Sequence, residues 1–388
     1  MTIDNIKSYF KDRIYNRLQK KCIDWFYYLP IQKNKIVFIF NGGGGYADSP
    51  KYIAEEIKKQ NKPYHLVWLV NKSGYSIPSH IKQAKIGRIK SVYELATAKI
   101  IITTVKSYCD LKKKKDQFFI YVPHGQSGAK YVEKGAADKL GPKYIERSKW
   151  HSKVSDLFIS SSAMQTQEMK DYFWCSCEIA NMGLPRNDLF FNFTDNQVNK
   201  IKQTLGFDKN CHLVLYAPTF RENKDCSVYD IDTKKILNSL KNRFGGEWKL
   251  LVRLHPNFKW FGTPSIVYDS NIVDVTSYED MQELLIASDA LISDYSSIMF
   301  DFNLLKRPIF LYTKDIEQYQ DLRGLKPWFK QVPFPLCKTN EELLYAINHF
   351  DEIQYKLQLE EFSKIYNGFD DGHASERFVK RLVSVIKS

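Results

Sequence analysis

The chain has 388 residues, of which 44% are hydrophobic and 26% charged, and its formal net charge is +13. This length accommodates a large core and two domains, and no apolar run reaches the roughly 18–20 residues that a membrane-spanning helix needs. The positive charge indicates an anionic partner. Nucleic acid is disfavoured because the sequence lacks helix-turn-helix, zinc-finger and RNP motifs, which leaves anionic lipid headgroups and phosphate-rich substrates.

The first 28 residues carry apolar side chains at helical spacing and predict an amphipathic helix. Its basic face and the aromatic residues 25–28 are typical of a helix on a membrane surface; a helix packed on its own domain is the alternative. This stretch lacks the contiguous apolar segment and the cleavage site of a signal peptide. The seven cysteines, including Cys175 and Cys177, lack metal-ligand spacing, which favours reduced thiols in a cytoplasmic protein.

A glycine run follows the first predicted strand, residues 36–40, and precedes a predicted helix, residues 49–60. Gly42, Gly44 and Ala47 satisfy the G-x-G-x-x-A dinucleotide pattern. However, the next strand is followed by Asn71 and not by the acid that would bind a ribose hydroxyl. We therefore predict no nicotinamide or flavin site.

Strands and helices then alternate along the whole chain, which predicts parallel sheets covered by helices on both faces. The further strands are residues 65–70, 99–103, 118–122, 157–160, 178–182, 213–216, 249–254, 290–293 and 309–312. We predict an α/β fold of two Rossmann-like domains facing each other across a cleft. The expected divisions are an N-terminal helix at residues 1–30, a first domain at 31–190 and a second at 191–388, whose last helix crosses back to the first domain.

Ligands of such sheets bind beyond the carboxyl ends of the strands. His124 and Gly125 directly follow the strand at residues 118–122, and His255 follows the strand at residues 249–254. A histidine that titrates near neutral pH suits the role of a general base toward a hydroxyl. The alternative is a histidine that only hydrogen-bonds to its loop.

The stretch from residue 284 to 324 reads as a helix, a strand, a polar loop, a helix and a strand. Ser296 and Ser297 stand where the second helix begins, so their hydroxyls and the free N–H groups there suit an anion. Arg323 is expected on a polar loop after the second strand. One crevice would thus hold two hydroxyls and a guanidinium, which suits a diphosphate. An ordinary helix cap and a surface arginine are the alternative.

Three segments of the second half resemble motifs of the CDP-glycerol glycerophosphotransferase family, which contains teichoic-acid primases and polymerases and capsule-type relatives. These are S-D-Y-S-S-x-x-x-D with K-R-P-x-x-x-Y and Y-x-x-x-R-G, then R-L-H-P at residues 253–256, and Y-A-P-T-F-R at residues 216–221. The resemblance spans residues 121–324, and the order of the motifs makes it specific. At residues 124–130, H-G-Q-S-G-A-K departs from the polymerases' H-G-T-P-L-K, which leaves the acceptor open.

The resemblance implies a role for each matching residue. His124 would be the general base, and His255 would contact the donor phosphates. The predicted donor-binding residues are Thr219, Arg221, Arg253, Asp294, Ser296, Ser297, Asp301 and Arg323. The predicted acceptor-side residues are Gly43, Gly44, Gly125 and Lys130. A divalent metal is not favoured, although Asp294 and Asp301 are the carboxylates that would hold one.

The expected activity is transfer of glycerol phosphate, or a related polyol phosphate, from CDP-glycerol or CDP-ribitol to a hydroxyl of a lipid-linked or glycan acceptor, with release of CMP. The enzyme would act in the cytoplasm, peripherally at the inner face of the membrane, with an anionic membrane surface as a partner and no nucleic acid. The rivals are a sugar transferase of the same GT-B fold that uses a nucleotide sugar, and a non-catalytic protein that binds membranes or polyanions.

Overall fold

The computed structural model describes residues 25–106, 112–126, 128–221, 225–255, 265–366 and 368–387. The predicted N-terminal helix, residues 1–28, lies outside the described residues apart from its last four positions. No described helix is long and apolar enough to cross a lipid bilayer.

The first sheet contains seven parallel strands of the described chain in the order β3-β2-β1-β4-β5-β6-β7. The strands are β1 (Gln32–Ile39), β2 (His65–Val70), β3 (Lys82–Lys85), β4 (Ala98–Thr103), β5 (Phe118–Tyr121), β6 (Leu157–Ser160) and β7 (Glu178–Asn181). The central strands are almost wholly buried, as expected for a parallel sheet covered on both faces. The strand order reverses between β1 and β4.

The second sheet repeats this topology with six parallel strands of the described chain, in the order β10-β9-β8-β11-β12-β13. The strands are β8 (His212–Tyr216), β9 (Trp248–Val252), β10 (Ile272–Asp274), β11 (Ala290–Ser293), β12 (Ile309–Tyr312) and β13 (Leu336–Cys337). Here the order reverses between β8 and β11. The predicted fold, two Rossmann-like domains of α/β type, is confirmed.

Helices connect the strands and cover the sheets. The α-helices of the described residues are α1 (Asp48–Lys59), α2 (Ile89–Ala96), α3 (Pro142–Val154), α4 (Ala163–Tyr172), α5 (Leu189–Asn192), α6 (Asp195–Thr204), α7 (Thr233–Phe244), α8 (Met281–Ala287), α9 (Ile298–Asn303), α10 (Ile316–Arg323), α11 (Asn340–Asn348), α12 (Glu352–Tyr366) and α13 (Ala374–Lys387). Several begin at side-chain caps; Thr194, for example, forms a reciprocal capping box with Gln197 at the start of α6.

Helix α13 returns from the second domain to the first. Its apolar face, which includes Phe378, Val379 and Leu382, belongs to the same buried cluster as Ile36 of β1 and Ile53 of α1. Residues from both ends of the described chain therefore share one core.

The sequence prediction missed the short strands β3, β10 and β13, which lie at or next to the sheet edges, and the helices α3 and α7. The C-terminal region, predicted as helical throughout, forms two helices, α12 and α13. Arg323 was expected on a polar loop, but it is the last residue of α10.

Candidate active site

The cleft lies at the carboxyl ends of both sheets, where the strand order of each reverses. In Rossmann-like sheets this position is the crevice in which ligands bind. The glycine run follows β1, and His124 follows β5, two strands along the same edge. On the other side, Thr219 follows β8 and Asp294 follows β11. The motifs of the two domains thus converge on one space.

His124 is held by a carboxylate that the sequence prediction did not name. Its Nδ1 hydrogen-bonds to Oδ2 of Asp48, the first residue of α1, while 58% of the His124 side chain stays exposed. Asp48 itself is buried and has a positive φ of 60°. Because a carboxylate can only accept, Nδ1 carries a proton and the other ring nitrogen, Nε2, is left to accept one.

Burial alone would raise the pKa of Asp48, but the charges of Arg186 and His124 outweigh it and hold that pKa well below its ordinary value. Arg186 donates from Nη1 to Asp48 Oδ2 at 3.2 Å. Its other terminal nitrogen, Nη2, donates to Asp301 of the second domain. The backbone N–H of Ser49 also donates to Asp48, at 2.5 Å. The carboxylate beside His124 is therefore kept ionised.

His255 approaches the same space from the second domain. Desolvation and the positive charges of Lys130 and His124 lower the pKa of His255, so these cationic groups of the two domains lie within electrostatic reach of one another. Arg253, two residues earlier, donates to the carbonyl oxygen of Tyr278 at 2.7 Å, and burial lowers its pKa to about 10. A phosphate group would neutralise this concentration of positive charge.

Ser296 and Ser297 are partly exposed at the start of α9. Ser297 is the N-cap residue of that helix, yet its hydroxyl makes no capping hydrogen bond. A Cβ atom on Gly125 would lie 3.0 Å from Ser297 Oγ, and one on Gly128 would lie 3.5 Å from Ser297 N. The serine loop of the second domain therefore packs directly against the segment that carries His124.

Arg221 and Asp294, which were predicted to bind the donor, are paired with each other and with neighbouring residues. Asp294 accepts from the backbone and hydroxyl of Thr219 and pairs with Arg221 at 2.9 Å. The Arg221 guanidinium is buried, donates twice to Asp315, and lies 4.9 Å from the ring centroid of Tyr295. Both charges are neutralised below the surface, so these residues fix the shape of the loop. Thr219 alone of this group stays partly exposed.

Asp301 is also buried, and its carboxylate pairs with Arg186. Asp294 and Asp301 are therefore each paired with an arginine. Among the described residues, no group of three or more His, Cys, Asp or Glu side chains is placed to hold a metal ion.

The glycines after β1 are explained by the chain itself. A Cβ on Gly43 would lie 2.5 Å from the backbone nitrogen of Asn71, so Gly43 lets the chain after β1 approach the end of β2; its role toward an acceptor stays a prediction. A Cβ on Gly44 would meet only Asn41, at 3.2 Å and beyond. The side chain of Arg323 lies outside the described part of the structure, so its contact with the donor stays a prediction.

Two sets of contacts join the domains beside the cleft. Lys326 of the second domain pairs with Glu168 of α4 at 2.6 Å, and both are buried. Lys51 of α1 pairs with Asp280 at 2.7 Å and with Glu283 at 2.8 Å. The cleft is therefore bounded by ion pairs between the domains.

The family model of CDP-glycerol:poly(glycerophosphate) glycerophosphotransferases matches residues 22–384. The chain belongs to this family. The resemblance drawn from the sequence motifs is thereby confirmed, and it extends well beyond residues 121–324.

Curated relatives of the chain are teichoic-acid enzymes. It is 29% identical over 376 residues to the teichoic acid poly(glycerol phosphate) polymerase of Bacillus spizizenii, covering 92% of this chain and 93% of that protein. It is 30% identical over 378 residues to the polymerase of the same name from Bacillus subtilis strain 168, covering 91% of this chain and 49% of that protein. The match to the Staphylococcus epidermidis polymerase likewise spans 50% of that protein. The chain thus spans about half the length of two of these relatives.

Among solved structures, the wall teichoic acid polymerase TagF soaked with CDPG matches with a TM-score of 0.84 and 25% identity, covering 100% of this chain and 99% of that chain. A glycerophosphotransferase fold thus extends over both domains.

Asp48 and Arg186 were not predicted as site residues because neither lies in one of the sequence motifs that resemble the family. The signal for Asp48 was an acid at the start of a helix, three residues after the last of four glycines that follow the first strand. Arg186 lies in G-L-P-R-N-D, which the sequence prediction treated only as the end of the first domain. Each residue is identified by contacts that link distant parts of the chain.

Proposed function

We propose that the chain transfers glycerol phosphate, or a related polyol phosphate, from a CDP-linked donor to a hydroxyl group of a glycan or lipid-linked acceptor, and releases CMP. The single observation that carries the proposal is the geometry of His124: a buried, ionised carboxylate holds its Nδ1, and the ring lies exposed in a cleft whose other wall carries His255. Family membership supplies the donor class.

In the proposed reaction, the acceptor hydroxyl gives its proton to Nε2 of His124 as its oxygen attacks the β-phosphorus of CDP-glycerol. The bond from that phosphorus to the bridging oxygen breaks, and CMP leaves with the electron pair. Asp48 stabilises the imidazolium that forms, and a positioned base of this kind contributes roughly 10²–10⁴-fold.

The second domain would hold the diphosphate. Transfer of a phosphoryl group depends chiefly on positioning and on neutralisation of charge. Arg253 and Lys130 supply positive charge, His255 lies close to Lys130, and the hydroxyls of Ser296 and Ser297 stand at the start of α9. Thr219, whose hydroxyl donates to Asp294, lies in the same region just after β8.

The test is release of CMP from CDP-glycerol, with CDP-ribitol and UDP-sugars in parallel and a panel of glycan and lipid-linked acceptors. We expect turnover of a CDP-polyol, and a fall in kcat of roughly 10²–10⁴-fold for His124→Ala with donor binding retained. His80→Ala, at an exposed histidine outside the cleft, is the matched control. Turnover of UDP-sugars alone would replace the proposal with a sugar transferase, and wild-type kcat in His124→Ala would refute the base.

We also propose that the enzyme works in the cytoplasm at the inner face of the membrane. The support is the net charge of +13 and two exposed aromatic side chains, Trp25 and Tyr28, on the first described residues. Sedimentation with anionic vesicles tests this. We expect removal of residues 1–30, or the double change Trp25→Ala/Tyr28→Ala, to reduce binding; undiminished sedimentation of both variants would contradict it.

A further inference from the structure

Arg186 is a buried arginine that contacts both domains. It lies in the short 3-10 turn Pro185–Asp188 that follows β7, and only 3% of it is exposed. Its Nη1 donates to Asp48 of the first domain at 3.2 Å, and its Nη2 donates to Asp301 of the second. When the Gln282 amide is oriented to satisfy its neighbours, its oxygen accepts from Arg186 Nε at 3.3 Å. The guanidinium is thus engaged along all its edges.

We infer that Arg186 is a positioning residue of the transfer reaction. It keeps the Asp48 carboxylate aligned on His124 and links this pair to α9, the helix that follows Ser296 and Ser297 and carries Asp301. The inference rests on the proposed role of His124 as the general base. It assigns a task to a residue that stands in none of the recognised motifs of the sequence.

The first step of the reasoning is charge. Asp48 and Asp301 are both nearly fully buried, and Arg186 is the cation that bonds to each of them. A buried carboxylate without a partner charge takes up a proton. Without Arg186, the Asp48 carboxylate is neutralised by the His124 imidazolium alone and holds that proton more tightly. His124 then becomes a base only at higher pH.

Other charged groups face this pair and set the sign of the effect. They are Tyr121 and Asp301 toward Asp48, His255 and Asp301 toward His124, and Asp370 toward Arg186. Burial raises the pKa of Asp301 despite the opposing charge of Arg186. Arg186 is the positive charge bonded to Asp48 from the protein interior, so its loss leaves a net negative environment around the imidazole.

The second step is steric. A Cβ atom on Gly125 would lie 2.5 Å from Arg186 Nη2 and 3.0 Å from Ser297 Oγ. The guanidinium therefore passes directly beneath the residue next to His124 and beside the serine loop. The same group contacts the carboxylate that orients the base and the helix that follows the donor-binding serines.

The experiment compares the pH profile of kcat/KM for the wild-type enzyme, Arg186→Gln and Arg186→Lys in the CMP-release assay. We expect Arg186→Gln to lower kcat/KM by roughly 10–100-fold, as for loss of other supporting groups. We also expect its acidic limb to move up by about 1–2 pH units, the effect of losing a unit charge beside the imidazole at an effective dielectric constant near 20. Arg186→Lys keeps the charge, so its limb should stay within a few tenths of a unit of the wild-type value.

Arg243→Gln is the matched control, because Arg243 donates to the carbonyl oxygen of Phe350 far from the cleft. It should lose stability without moving the acidic limb. Asp301→Asn alone should lower the limb, because it removes a negative charge that faces His124. If Arg186→Gln does not fold, Arg186→Gln/Asp301→Asn removes both buried charges and should fold, with its limb above that of Asp301→Asn.

The outcomes separate the two proposals. A wild-type enzyme that releases no CMP from any CDP-polyol refutes the proposed function. A wild-type enzyme that turns over refutes the role of Arg186, and leaves the proposed function intact, if the acidic limb of Arg186→Gln does not move or if that of the double variant does not lie above that of Asp301→Asn.

Discussion

Gly125→Ala is the substitution that tests most directly how tightly the two domains meet beneath His124. The backbone at Gly125 has a φ of 93°, a left-handed value that costs an alanine about 1–2 kcal/mol. The new Cβ would also lie 2.5 Å from Arg186 Nη2. That nitrogen ends a flexible side chain, but it cannot retreat without breaking buried ion pairs, which costs about 3–5 kcal/mol when complete.

We therefore expect Gly125→Ala to lower the free energy of unfolding by about 4–7 kcal/mol, the sum of the backbone cost and the loss of the buried ion pairs. Gly206→Ala is the matched control: its φ is 81°, and a Cβ there meets nothing within 4 Å, so only the backbone cost of about 1–2 kcal/mol applies. Urea denaturation followed by fluorescence measures both, and CMP release gives kcat/KM, which we expect to fall for Gly125→Ala alone. Equal unfolding midpoints for the two variants, with wild-type kcat/KM, would show that Arg186 moves freely and would refute the reasoning.

Three further predictions concern buried charges. Asp48→Asn should lower kcat by roughly 10²–10⁴-fold through the wrong tautomer of His124, whereas Asp269→Asn, in an exposed turn, should not; equal rates would contradict the pairing. Lys326→Met should cost about 3 kcal/mol in urea denaturation by leaving a buried carboxylate unpaired, and Glu168→Gln/Lys326→Met should recover most of it; additive losses would speak against a coupled pair. Burial raises the pKa of Asp370 to about 7 from an ordinary 3.8, so the stability that its protonated form provides is present below about pH 3.8 and lost as pH rises to about 7. The wild type should therefore lose stability relative to Asp370→Asn over this window, by about 4 kcal/mol, and parallel pH profiles would contradict this.

The central strands of both sheets were predictable because each is a continuous apolar run. Strands β6, β11 and β12 have the predicted bounds, since burial on both faces leaves a signal in the sequence itself. Strand β3 was missed because it lies at a sheet edge and reads Lys-Gln-Ala-Lys, with one buried residue. Edge strands take their conformation from the neighbour to which they hydrogen-bond, so their own composition says little.

Residues of the candidate site could be predicted from the sequence only where they directly follow a predicted strand. His124 and His255 were found in this way. The internal pairing of Arg221 was not foreseen because its partner Asp315 is 94 residues away in the chain. Asp48 was passed over because its partner His124 is 76 residues away. Ion pairs between distant segments leave no local pattern in the sequence. Sequence reasoning therefore predicts ligand binding for charged residues that pair with one another in the folded chain.

Because α13 packs on the first domain, the two domains cannot be separated by cutting the chain between residues 190 and 191. A fragment that stops at residue 190 would lack Phe378, Val379 and Leu382, and so would expose the face of α1 and β1 that these side chains cover. A fragment that starts at residue 191 would carry the same three side chains into water. Dissection of the enzyme into autonomous donor and acceptor modules therefore requires the helix to be grafted onto the first half, as in a circular permutation.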